Sequence, residues 1–425
     1  MTGPETPLSH LSTERLFEIA GRLLEVETQN PPGETRALAD RIETFLDDLG
    51  LETRSVVTDP AKPNVIATLP GETDRTLLYN GHLDTVPFAE ADWTYDPLGE
   101  RDGDRLYGRG ATDMKGPLAA MLHAAEAFVE TGTTPPVTLG FAIVSDEETG
   151  GSAGVGSLLE TEEFDALAPD ACVIGETTCS GGRHSITVAD RGSIWLTLRA
   201  EGEAAHGSRP VLGENAIDRL WEAIETVRTR LSARELAIPA AVRPIVEESV
   251  AYYAPVMGEA AARELFEHPT VNLGTIEGGD SVNTVPSSAR ARLDIRLTAG
   301  TETRAVLADI RDCLAERPSV SIADASWSVG SYEPPDSPLV EAVGTVARGV
   351  VDGQNEEIDR RSATGGGDAK KFRHAGIPTV EFALGTDTVH AVDEYTTAEA
   401  LAGNAEVYTR LPAVWDDLRR TKTDR

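Results

Sequence analysis

An apolar run that stops on a metal-ligating pair constrains a fold tightly, and residues 76–117 contain one. Thr76 to Tyr79 (TLLY) read as a short buried strand ending at Asn80-Gly81, which leaves His82 and Asp84 at its carboxyl end. In extended chain, residues two apart point to the same side. His82 can therefore offer one ring nitrogen to a metal while Asp84, or a neighbouring group, fixes the tautomer through the other. Asp113 follows Arg109-Gly110 in a glycine-punctuated turn and precedes an apolar helical run, GPLAAMLHAAEAFV. A carboxylate there is either a helix N-cap or a ligand, and the residue alone does not choose.

Three later stretches shift that balance. The continuous apolar strand in VTLGFAIVSDEETGG ends on Asp146, Glu147 and Glu148, more carboxylates than a buried strand end carries comfortably. ACVIGE ends another strand at Glu176, and IPTVEFALGTDTVHAVDE ends a third with His390 shortly beyond it. Five candidate ligands, His82, Asp113, Glu148, Glu176 and His390, thus follow or flank core strands. In an open α/β sheet, ligands gather outside the carboxyl ends of the strands, so positions distant in sequence converge there. Two imidazoles and three carboxylates suit a pair of Zn²⁺ ions sharing one bridging carboxylate, with Co²⁺ or Mn²⁺ as alternatives.

The blocks GHLDTVP, GRGATDMKG, SDEETGG, IGE, EAAHGSRPVLGENAI, GGDSVNTVP, TGGGDAKKF and VHAVDEY occur in this order over most of the chain. With them the chain resembles the acetylornithine deacetylase, succinyl-diaminopimelate desuccinylase and glutamate carboxypeptidase family of co-catalytic zinc amidohydrolases, a match more specific than any single motif. The resemblance implies a three-layer α/β catalytic domain with an inserted ferredoxin-like lid and dimerisation domain. It makes Asp113 the bridging ligand, His82 and Glu176 the other ligands of one zinc, Glu148 and His390 those of the second, and Glu147 the general base. It also implies that Glu at position 176 goes with deacylases and carboxypeptidases. His206 matches a histidine that a partner subunit contributes to polarise the scissile carbonyl, and Asn283 and Arg296 match substrate-touching positions. Arg offers a planar fork to a carboxylate, although an ordinary structural ion pair is the alternative for Arg296. Glycines 365 to 367 permit backbone amides to approach a carboxylate or oxyanion or, equally, a tight turn before a helix starting near Asp368; the resemblance favours a substrate role for Gly366 and Gly367.

Composition excludes several classes. A net charge of −33 argues against nucleic acid or an anionic membrane as partner, since both would be repelled. The acids are spread along the chain, which suggests a solvated surface of a salt-loving protein, an expectation that unfolding at low and at molar salt checks. Three cysteines, Cys172, Cys179 and Cys313, form no disulfide framework, and no secretory or membrane-length apolar run is present, so a cytoplasmic setting is expected.

Taken in order, the amino-terminal helix LSTERLFEIAGRLLEVET precedes Asn30-Pro31-Pro32-Gly33, a second helix covers roughly 34–49, and strands follow near 52–57 and 64–68. The alternation continues to about residue 189 and resumes after about 330, giving a discontinuous di-metal domain, 1–189 and 330–425. Between them, 190–329 reads strand, helix, strand, strand, helix, strand, the ferredoxin-like order, lengthened by a helical segment at about 232–268. The expected activity is metal-dependent hydrolysis of the amide of an N-acyl amino acid by a zinc-bridged water, with Glu147 as base, in a homodimer formed through the lid. A dipeptidase or carboxypeptidase on the same centre is the alternative within enzymes. A non-catalytic binding protein on this fold is disfavoured by the complete ligand set.

Overall fold

The run TLLYNGH forms one strand, Thr76–His82, buried along its whole length. It extends past the Asn80-Gly81 stop expected from sequence because both residues fit the interior. Asn80 Nδ2 donates to Ala142 O at 2.7 Å, and a Cβ on Gly81 would lie 2.7 Å from Met114 Cε. The strand pairs in parallel with Thr138–Val144 on one side and Ala171–Thr177 on the other, and Thr379–Ala383 lies parallel to Ala171–Thr177. Four parallel strands thus end at one edge, the edge that carries His82, the 145–149 turn, Glu176 and the segment leading to His390. Glu52–Val56 and Asn64–Leu69 extend the sheet antiparallel beyond Thr138–Val144.

This computed structural model describes residues 6–179, 181–351 and 358–423. It is α/β, and the chain divides into two compact units, residues 1–188, 333–361 and 367–425 in the first and 189–332 with 362–366 in the second.

The first unit has three layers. On one sheet face Leu78, Ala142, Val144, Cys172 and Ile174 pack with Val155, Leu158, Phe164, Leu167, Ala369 and Phe372 from short helices. On the other, Tyr79 sits 5.9 Å from Phe141 and 5.4 Å from Tyr408, ring to ring, and its hydroxyl donates to Tyr408 O. Helices Lys115–Glu130 and Ala398–Thr423 cover that side. Thr13–Leu24, capped by Ser12, packs against Lys115–Glu130 and buries Leu16, Phe17, Ile19, Ala20, Leu23 and Leu24. Cys172 and Cys313 are free thiols. Among the described residues, no helix is long and apolar enough to cross a membrane.

A polar knot staples those two helices. Buried His123 directs Nδ1 to Glu126 Oε2 at 2.8 Å and accepts the Ser12 N–H on Nε2 at 3.0 Å, while Arg15 donates to Glu126 at 2.6 Å. Burial pushes the Glu126 carboxyl up, but His123 and Arg15 outweigh it and hold the group down at about 2, against an ordinary 4.5. A depressed carboxyl stabilises the fold above its unfolded pKa and loses that contribution as pH falls through the folded value. Wild type should therefore melt above Glu126→Gln at pH 5 and higher, by at most about 3 kcal/mol in stability. The gap in melting temperature should close between about pH 4.5 and pH 2; a gap constant across that window contradicts the assignment.

The second unit is a four-stranded antiparallel sheet in the order Thr270–Gly278, Ser288–Leu297, Gly192–Glu201, Val320–Ser328, with helices Ala216–Ser232 and Thr303–Ala315. This is the ferredoxin-like order read from the sequence. The lengthening segment supplies helices Arg243–Met257 and Glu259–Glu267. Residues 362–366, expected with the first unit, group with this one: the Ser362 N–H donates to Ser249 Oγ at 2.8 Å, and Gly365 O accepts from the Arg191 N–H at 3.3 Å. Gly366 thus lies in the second unit and Gly367 in the first.

Candidate metal centre

The strand ends bring five ligand-type side chains into two overlapping triads. His82, Asp113 and Glu176 form one, and Asp113, Glu148 and His390 the other; within each, the donor atoms lie within 4.8 Å of one another. His82 Nε2 is 3.2 Å from Asp113 Oδ1 and 3.2 Å from Glu176 Oε1. His390 Nε2 is 3.1 Å from Asp113 Oδ2 and 3.3 Å from Glu148 Oε1. Asp113 is common to both triads and turns one oxygen toward each. It is not a helix cap: the cap position of Lys115–Glu130 is Met114, and no side chain caps that helix.

The ring nitrogen of His82 that faces away from the other ligand candidates meets Asp84, through its main chain and not its side chain. Its Nδ1 meets the backbone carbonyl of Asp84 at 2.9 Å, whereas the Asp84 carboxylate is 3.7 Å away. That carboxylate accepts the N–H of Glu147 at 3.1 Å and of Glu148 at 3.2 Å, with Asn30 Nδ2 at 2.8 Å. One fully buried aspartate therefore orients His82 through its main chain and the Glu147–Thr149 turn through its side chain. The turn is entered through Asp146, at φ 70°, whose carboxylate takes Lys62, the Thr149 hydroxyl at 2.8 Å and the Ala153 N–H at 3.1 Å. Gly367 abuts this turn: a Cβ there would lie 2.9 Å from Glu147 Oε1.

Charge explains what such a cluster demands. Burial opposes ionisation of Asp113, yet His390 and His82 hold it well below the usual carboxylate range. Asp113 and Glu148 drive His390 up to about 10. Burial pulls His82 down, but Glu176 and Asp113 override it and raise it well above an ordinary imidazole. Burial, then the charge of Asp113, pushes Glu176 up to about 7, and burial raises Glu147 well above a free glutamate. Three carboxylates around two imidazoles thus call for added positive charge. Glu148 Oε1 is buried with no hydrogen bond. Hard oxygen ligands and two imidazoles, with donor atoms within 4.8 Å of one another in each triad, fit divalent cations.

The remaining sequence-derived residues lie in the second unit. His206 and Asn283 are brought together there: Gly207 N–H donates to Asn283 O at 2.6 Å, and His206 bridges to Thr284. His206 is exposed, with Nδ1 2.8 Å from Ser208 Oγ. Arg296 sits on Ser288–Leu297, and its guanidinium is held by Asp294 at 2.7 and 3.0 Å. Asn30, Arg109 and Glu394 were not singled out from sequence. Asn30 lies in the Pro-Pro-Gly turn, and Glu394 stands four residues after His390 inside VHAVDEY, an acid in a motif otherwise read for its histidine.

With this geometry in view, comparison with known proteins is specific. The model of peptidase family M20/M25/M40 matches residues 78–413. Curated succinyl-diaminopimelate desuccinylases resemble the chain over most of its length. The protein from Methylocella silvestris is 29% identical over 380 residues, covering 87% of this chain and 90% of that one. The one from Sphingopyxis alaskensis is 29% identical over 400 residues, covering 92% and 96%. Among solved structures, a family M20 metallo-carboxypeptidase from Sulfolobus solfataricus superimposes with TM-score 0.75 at 21% identity, covering 94% of this chain and 99% of that one. A dinuclear metal-binding M20 peptidase from Bacillus subtilis gives TM-score 0.65 at 16% identity, covering 96% and 98%.

Proposed function

The chain belongs to peptidase family M20/M25/M40, and from that membership we propose that it hydrolyses the amide of a small N-acyl amino acid, with an N-succinyl group as the first candidate acyl class. It is a hydrolase of that family. The observation that carries the reading is the sharing of Asp113 between two ligand triads, with Glu147 one residue from Glu148 in the same held turn. The succinyl preference is drawn from the relatives named as desuccinylases.

His82, Asp113 and Glu176 would hold one divalent ion and Asp113, Glu148 and His390 the other, zinc suiting mixed imidazole and carboxylate donors. Bound there, such a pair supplies Lewis acidity toward the amide carbonyl and lowers the pKa of water. Glu147 takes the proton of the attacking water on its carboxylate and delivers it to the leaving nitrogen as the C–N bond breaks. Asp84 keeps that carboxylate in place through the Glu147 N–H. His390, whose side chain is half exposed, is the most solvent-accessible of the five ligand candidates, and we assign substrate entry to its side. To the second unit we assign recognition: Arg296 for a free carboxylate, His206 for the developing oxyanion and Asn283 for substrate positioning, in a homodimer.

Hydrolysis of N-succinyl-diaminopimelate and of N-succinyl, N-acetyl and N-formyl amino acids and dipeptides, with added zinc, tests the proposal. Turnover concentrated in the N-succinyl set supports it. Turnover of dipeptides alone would replace it with a dipeptidase on the same centre.

A further inference from the structure

Glu394 is fully buried, and the nearby mechanism makes no use of it. Its Oε1 accepts three main-chain N–H groups of a single loop: Gly110 at 3.1 Å, Thr112 at 3.0 Å and Asp113 at 3.1 Å. Its Oε2 accepts from Arg109 Nη1 at 2.6 Å. Its own carbonyl accepts the Gly108 N–H at 2.9 Å. Amides converging on one point make an anion nest, and here a side chain fills it. Arg109, itself only 5% exposed, turns Nη2 toward His390 O at 3.3 Å. The loop closes this tightly partly because position 110 is glycine: its φ is 91°, and a Cβ would lie 2.8 Å from Thr85 Cγ2.

Glu394 and Arg109 therefore connect the main chain of Asp113 with the main chain of His390. Of the two triads, only that of Asp113, Glu148 and His390 spans that spacing: it needs Asp113 Oδ2 and His390 Nε2, 3.1 Å apart, to stay together. Neither Glu394 nor Arg109 offers an atom to the ligand cluster, so the effect passes through the ligands they hold.

We propose that Glu394 and Arg109 are a positioning pair that fixes the separation of Asp113 and His390 and thereby sets the affinity of the centre for its second metal ion. This rests on the two-ion reading above. A merely structural pair would lower stability and leave metal affinity, once folded, unchanged.

The experiment compares wild type, Glu394→Gln, Arg109→Lys and the double variant Glu394→Gln/Arg109→Met. Zinc bound per chain is titrated after chelation, and the cobalt(II) absorption spectrum and the kcat and KM of a turned-over substrate are recorded. Glu394→Gln keeps volume and an acceptor for the loop amides but sets a donor against Arg109. Arg109→Lys keeps the charge and removes the forked reach to His390 O. Wild type should bind two ions. Each single variant, folded by circular dichroism, should bind one ion as wild type and the second roughly 10- to 100-fold more weakly. The cobalt spectrum should change, and kcat should fall at limiting metal and recover with excess, while KM stays within about 2-fold. The double variant should be no worse than the worse single, because the two residues act as one unit. Two ions bound at wild-type affinity in both single variants, or a change confined to melting temperature or KM, would overturn the pairing. If Glu394→Gln does not fold, Arg109→Lys decides alone by the same second-ion affinity. Fewer than two ions on wild type would instead overturn the two-ion reading and this inference with it.

Discussion

Replacing Glu147 with glutamine is expected to lower kcat by roughly 10²- to 10⁴-fold while both metal ions remain bound. The side chain is not among the two ligand triads, so its loss removes no donor. What it removes is a carboxylate whose main chain is fixed one residue from Glu148, by the Asp84 Oδ1 bond at 3.1 Å. Glutamine fills the same volume beside Gly367 but cannot accept a proton from water. In the metal-free chain burial, with Asp368, Glu176 and Glu148 nearby, makes this group more basic than a free glutamate, and His82 opposes the shift. Asp84→Asn is the natural companion. Its amide would face at least one of the two N–H groups that the carboxylate now accepts, so a partial loss of kcat is expected where Glu147→Gln gives a near-complete one. Rates and bound zinc measured on the same samples check both. Glu147→Gln activity within a few-fold of wild type would remove its role as base.

Asp113→Ala is expected to abolish binding of both ions and reduce hydrolysis to background. Each of the other ligand positions belongs to one triad, so Glu176→Ala and Glu148→Ala should each weaken one ion and largely spare the other. Only Asp113 turns Oδ1 to His82 and Oδ2 to His390. The same change leaves the two imidazoles facing fewer carboxylates. His390, now driven up to about 10 chiefly by Asp113, should titrate closer to an ordinary histidine in the metal-free variant, a shift that NMR of the imidazole reads directly. Metal analysis that finds one tightly held ion on Asp113→Ala would show that the residue is not shared.

The grouping of the five candidate ligands was legible because they obey a rule visible in one dimension: each follows or flanks an apolar run, and parallel strands bring such ends to one edge. Thr76–His82, Thr138–Val144, Ala171–Thr177 and Thr379–Ala383 do so here. The antiparallel second unit was legible for a similar reason, since Ser288–Leu297 alternates buried and outward residues along its length. Other features left no such mark. Asp84 supports His82 through a carbonyl, which every residue possesses, and its carboxylate serves backbone amides whose position no pattern encodes. Glu394 likewise spends its side chain on three loop amides and one arginine 285 positions earlier. Asn30 lies in a segment whose prolines announce a turn and conceal a hydrogen-bond donor to Asp84. The strand Thr76–His82 ran past its expected stop because Asn80 found an acceptor in the neighbouring strand, a tertiary contact that overrides a local turn signal.

A dinuclear centre built on Asp113 is tested most directly by titrating zinc into chelated protein and measuring bound metal and amide hydrolysis on the same samples, for wild type and Asp113→Ala. The expected result is two ions bound per wild-type chain, hydrolysis absent before zinc and rising as the sites fill, and neither binding nor hydrolysis in the variant. Hydrolysis by the metal-free wild type at the loaded rate, or two ions held tightly by Asp113→Ala, would contradict it.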